Sequence, residues 1–301
     1  MITTIAIGLV VIASFCFAGG ALFQHMAVSS DRVSEEQDSL SLAQILSLVR
    51  RPRWLLGLGL VMVGACLHLV ALSQAPVTVV QPIGILAVPW SVLLAARIYR
   101  YRTTPVMWLT VAMTVIGIVG FTVLSTTHSD DRRSTIDLPL MLGAVVLCLA
   151  MALTLLLARR SIPMSIRSFA VASAGAILYG LASAATKTLF LHVEQADRFP
   201  VPVVVVGAVA ILATYAFGGW VIQQAHIIGH PEVVVGSLTT VDPLIAVAYG
   251  LVVLSEGVSL TPLVVAGMII FGAIATGGVA ALSRYHPEAR QRSLQPVGER
   301  A

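Results

Sequence analysis

An aspartate stands about halfway along the apolar run from Val233 to Leu254, beside Thr239, Thr240 and Pro243. A carboxylate inside a bilayer costs about 2.5–3.5 kcal/mol on insertion scales, so one that is retained reads as functional. Pro243 removes the backbone donor for the carbonyl near position 239. Carboxylate, hydroxyls and backbone oxygens together make a hard-oxygen site suited to a cation or a proton, with Asp242 the metal ligand if the cation is magnesium. The competing reading is a structural Asp242 bonded to a neighbouring helix. Lys187, the only lysine, serves either the same site or snorkels to the interface. An ion pair with Asp242 is disfavoured by a depth gap of roughly 10–15 Å at 1.5 Å per residue. His25, next to Gln24, and His68 have the chemistry of proton carriers, or of hydrogen-bonded structure. Gln81-Pro82 offers a neutral amide and a kink as the counterpart of the Asp242-Pro243 pair, and Pro82, Pro89 and Pro243 mark helix breaks. Trp90 and Tyr179 line a cavity or simply pack, while His226, His230 and Glu232 are expected in a solvated loop.

The elements that hold these residues must be membrane helices. Of the 301 residues, 57% are apolar and 11% charged, against about a quarter charged in soluble domains. The net charge of +4 does not point to nucleic acid, because the basic residues lie in short segments between apolar runs. Cys16, Cys66 and Cys148 all fall within apolar runs and read as small hydrophobes. With no zinc spacing, Walker loop or nucleophile elbow, neither an enzyme nor a cofactor is expected. The first run lacks a positive n-region and is too long for a signal peptide, so it is expected to stay as a span.

A bilayer core about 30 Å thick needs roughly 20 apolar residues per helix. Nine segments qualify: 3–27, 54–73, 76–97, 104–124, 139–158, 167–190, 200–223, 232–254 and 261–283. Each is expected to be α-helical, since lipid offers no partner for backbone polar groups. Between the first two, Ser29 to Arg53 carries apolar residues on one face and suggests a short interfacial helix. Arginine clusters at 32–53, 97–102, 159–167 and 284–300 put those segments in the cytoplasm, leaving Arg132, Arg133 and Arg198 outside. The amino terminus is then outside and the tail, 284–301, cytoplasmic.

The spans also recur. Span four opens Thr104-Pro105 and closes Leu124-Ser125; span nine opens Thr261-Pro262 and closes Leu282-Ser283. Spans three and eight each begin at a proline, Pro76 and Pro231, and carry another mid-helix, Pro89 and Pro243. Small residues followed by polar ones mark spans one (Ala18-Gly19-Gly20, then Gln24-His25) and six (Ala182 to Ala185, then Lys187). The expected fold is one all-α membrane domain over 1–301: repeat one at 1–127, a connector helix at 139–158, and an inverted repeat two at 164–283.

The segments Ala18-Gly19-Gly20-Ala21-Leu22-Phe23, Leu72 to Gly84 and Gly236 to Pro243, running on to Glu256, resemble the EamA-like drug/metabolite transporter superfamily. In layout the chain is most similar to its nine-span NIPA-like magnesium-transporter branch. The resemblance implies a central cavity lined by the first, third, sixth and eighth spans. The chain departs from the family where an acidic residue usually follows span three: it has Ala95-Ala96-Arg97, and only Glu256, after span eight, fits that pattern. The expected function is secondary transport of a small polar solute (a metabolite, drug or lipid-linked precursor) across the cell membrane, with Asp242 as binding or proton-coupling group. A magnesium permease is the first alternative and a non-transporting membrane scaffold the second. Membrane lipids and the solute or ion are the expected partners.

Overall fold

The computed structural model describes residues 2–29, 51–99, 104–128, 136–228, 231–256 and 261–285. Among these there are ten α-helices and no strand: α1 (Ile2–Ser29), α2 (Pro52–Gln74), α3 (Val77–Gly84), α4 (Ala87–Tyr99), α5 (Pro105–His128), α6 (Leu138–Ala158), α7 (Met164–Gln195), α8 (Val201–Ile228), α9 (Pro231–Val252) and α10 (Pro262–Tyr285). Eight stretches are long and apolar enough to cross a bilayer, with Val77–Tyr99 (α3 and α4) counted as one. The expected eighth span corresponds to α9, in which the described apolar stretch is Ser237–Val252. This is the build of a polytopic membrane protein. The interfacial helix and most of the tail fall outside the described residues.

Proline sets many of the starts. Helices α2, α5, α9 and α10 each begin at one, where a missing N–H breaks no helical bond. At the two Thr-Pro motifs the threonine hydroxyl caps the helix: Thr104 Oγ1 accepts from Met107 N at 3.3 Å, and Thr261 Oγ1 accepts from Val264 N at 3.4 Å. Helix capping alone therefore accounts for that recurrence. Asp137 caps α6 in the same way, accepting from Leu140 N at 3.0 Å.

The third span is broken within the reach of Pro89, one turn before the proline itself. Pro89 lies near the middle of the span Val77–Tyr99 and in the first turn of its second helix, α4. It has no N–H for the carbonyl of Ile85, and its ring crowds that carbonyl, so the helix gives way there. Ile85 and Leu86 turn on tight bonds, with Val88 N donating to Ile85 O at 3.0 Å and Leu86 N to Ile83 O at 3.0 Å. Pro82 and Pro243, by contrast, sit inside α3 and α9.

Contacts fix the direction of each helix. Helix α1 lies antiparallel to α2, with Gly20 against Gly57 and Gly64 against Ala13. It runs parallel to α4, where Phe15 meets Trp90 edge-on at 5.5 Å and Gly19 faces Leu94. Likewise α7 is antiparallel to α8, with Ser168 Oγ donating to Ala225 O at 3.2 Å and Ser183 meeting Tyr215 at 2.9 Å. It is parallel to α9, through Gly180 at Asp242 and Thr188 at Tyr249. Helix α3 starts at the Gly250–Glu256 end of α9 and runs back along it, where Pro82 and Ile85 share a groove with Thr239, Pro243 and Val247, so α1, α3 and α4 run opposite to α7 and α9. Helices α5 and α10 also pair antiparallel. There Gly117 packs on the backbone of Phe271 and Ala275, while Gly278 packs on that of Thr110 and Thr114. Small residues let such backbones approach where lipid supplies no hydrophobic drive. Helix α7 is the central element, its apolar window 83% buried, and α8 is the most peripheral at 6%.

Candidate functional site

Positions 242, 246 and 249 share one face of α9, and that face lies on α7. Tyr249 hydroxyl meets Thr188 Oγ1 at 3.2 Å. Nearer the other end, a Cβ on Gly180 would come within 2.6 Å of the Asp242 carbonyl oxygen, so the two helices touch at the aspartate itself. The Asp242 charge acts on Tyr179 of α7 and Tyr215 of α8. Their rings lie 5.6 Å apart and tilted by 57°, and the Tyr215 hydroxyl is held by Ser183 Oγ at 2.9 Å. Asp242 Oδ1 is buried and makes no hydrogen bond in the described structure. A buried acceptor left open costs on the order of 1–3 kcal/mol. An open carboxylate oxygen beside two phenols suits a cation, a proton or the donor of a bound solute.

The remaining predicted residues are dispersed. Thr239 and Thr240 line an apolar groove with Pro82 of α3, Pro243 of α9, Phe121 of α5 and Met268 of α10. Thr239 stands about one turn before Asp242 on the same side of α9, and Thr240 is turned away from it. Gln81 is buried on α3, its amide nitrogen without a hydrogen bond. His68 sits at the α1–α2 seam, its ring 6.3 Å from Phe17 and its Nδ1 buried and unbonded. The side chains of Gln24 and His25 lie outside the described residues, as do those of His226, His230 and Glu232. Trp90 buries its indole N–H, unbonded, behind Phe15.

Lys187 does not reach a surface: it is 1% exposed. It stands one residue before Thr188, on the Tyr249 level, and seven residues along α7 from Gly180, about 10 Å at the helical rise. Its charge acts instead on Glu256, which is 0% exposed. Glu256 accepts from the backbone N–H of Val77 at 2.9 Å and of Thr78 at 3.0 Å. Sequence reasoning gave Glu256 no site role, and it missed Tyr215 altogether. Neither has a local signal, for Glu256 follows the end of a span and Tyr215 lies in an unbroken apolar run. No family model, no curated protein and no solved structure matches this chain, so the resemblance drawn above rests on its quoted residues alone.

Proposed function

We propose that the chain is a secondary transporter or permease that moves a small polar solute across the cell membrane by alternating access. In this reading it has nine spans, the amino terminus outside and the carboxyl terminus in the cytoplasm. Spans one to four (α1 to α5) and six to nine (α7 to α10) form an inverted repeat, with α6 as connector. The opposed directions of α1, α3 and α4 against α7 and α9 support the inversion, because repeats of this kind need opposite topologies. The antiparallel α5–α10 pair, with glycines of both helices at the crossing, supports it as well.

The observation that carries the functional reading is the open, buried Oδ1 of Asp242, on the α9 face that packs on α7, with its charge acting on Tyr179 and Tyr215. An unbonded intramembrane carboxylate oxygen is costly as scaffold and useful as a binding or proton-carrying group. Magnesium ranks second. It takes several oxygen ligands, and among the described residues no three His, Cys, Asp or Glu side chains gather.

The test is uptake and efflux by the purified protein in proteoliposomes, over a panel of metabolites, drugs and ions that includes magnesium. A solute should cross with the native chain and much more slowly with Asp242→Asn. Transport of magnesium alone would install the second reading. Failure of every solute to cross would leave a membrane scaffold.

A further inference from the structure

At one end of the α3–α9 crossing, the side chain of Glu256 bonds one half of the molecule to the other. Glu256 follows α9 on a tight return: Leu254 N donates to Tyr249 O at 3.4 Å, Glu256 N to Gly250 O at 3.1 Å, and Ser255 has a positive φ of 55°. That return aims the carboxylate at the first turn of α3, where Oε1 and Oε2 take the N–H groups of Val77 and Thr78. Gly250 leaves the room, since a Cβ there would meet Oε2 at 2.6 Å. A buried carboxylate is tolerable only when paired. The compensation here comes from two helix-start N–H groups with their dipole, and from the charge of Lys187 on α7.

The two N–H groups belong to another element, so withdrawing the carboxylate from α3 would lose both bonds together. The contact is also one-sided. Among the described residues α9 packs firmly on α3 but not on α4, the other part of the same broken span. The two spans therefore meet at the Glu256 end and diverge beyond the break at Ile85 and Leu86. In a transporter of the proposed plan, such a shape would close the path between the halves at one end only.

We propose that Glu256 is the latch of a gate: it holds the start of α3 against the end of α9, closes the path at that end, and undocks when the path opens there. The inference rests on the transporter reading. With the amino terminus outside, the latched end is the outer one.

The gate can be read without transport. In a full-length protein whose three cysteines are replaced, Gln81→Cys places a thiol about one turn inside the clasp. A membrane-impermeant methanethiosulfonate is added from each face in turn. Glu256→Gln keeps the size but offers one acceptor oxygen in place of two, so labelling from the face where α3 begins should quicken at least tenfold. Labelling from the opposite face should not change. An unchanged rate from the latched face in folded protein overturns the proposal. If Glu256→Gln does not fold, Val77→Cys/Glu256→Cys decides: uptake should stop when the disulfide forms and return on reduction, and uptake that continues through the disulfide overturns the latch. Should no solute of the panel cross in any variant, the transporter reading has failed, and the labelling arm alone decides the gate.

Discussion

At Asp242 a single substitution separates chemistry from scaffold. Asp242→Asn preserves size and polarity but removes the charge and the titratable proton. A neutral amide is cheaper to bury than a carboxylate, so the variant should insert and fold. Transport per folded protein should fall at least tenfold, on the order of 1.4 kcal/mol or more, and any dependence of the rate on pH should vanish. Asp242→Glu should keep part of the activity. Near-normal transport by the Asn variant would leave α9 as scaffold. Tyr215 supplies a second probe, because its hydroxyl is held by Ser183 and lies near the carboxylate. Tyr215→Phe forfeits that bond, for a stability loss of about 0.5–1.5 kcal/mol, seen as a small drop in thermal midpoint in detergent. A transport defect far larger than this drop would place the phenol against the solute; a matching one would make it packing.

Helix by helix, the fold depends on close backbone crossings more than on bulky cores, as expected where lipid and protein interior are equally apolar. The α5–α10 seam is the clearest case, with Gly117 and Gly278 each set against the partner backbone. Gly117→Leu or Gly278→Leu should therefore lower stability by about 1–3 kcal/mol through overpacking. Gly59→Leu on α2, where nothing lies within 4 Å, should be tolerated. Thermal unfolding of the three variants in one detergent makes the comparison. Equal loss at Gly59 would mean that the added side chain, not the close crossing, causes the effect, since Leu is the better helix former. The break between α3 and α4 belongs to this scale too: Pro89 acts through the carbonyl it cannot bond, at Ile85, four residues upstream of its own position.

For the whole molecule, the decisive measurement is topology. Reporter fusions should find residues 98–103, 159–166 and the tail after Ser283 in the cytoplasm, and 125–138 outside, as the arginine distribution requires. A carboxyl-terminal tail found outside would overturn the nine-span count and the inverted repeat together. It would also move the Glu256 latch to the other face of the membrane.

Much of the fold was legible in the chain before folding. Apolar runs long enough for a bilayer marked the spans, and proline and threonine marked helix starts such as Pro105 and Pro262, because capping is a local interaction. The cost of an intramembrane charge singled out Asp242 and Lys187 without any coordinates. Which way each residue faces was not legible. In a soluble helix the core face shows as an apolar stripe, but a membrane helix is apolar toward lipid and neighbours alike. Sequence proximity therefore grouped Thr239 and Thr240 with Asp242, and only packing showed that both threonines line a groove toward α3, α5 and α10 while Tyr249, farther along α9, bonds α7. Lys187 was open to snorkelling on its sequence; only the surrounding helices buried it. The docking of Glu256 on Val77 joins residues 179 positions apart. No periodicity or motif encodes a contact of that range, which exists because the crossing of α3 and α9 brings a carboxylate to two open backbone donors.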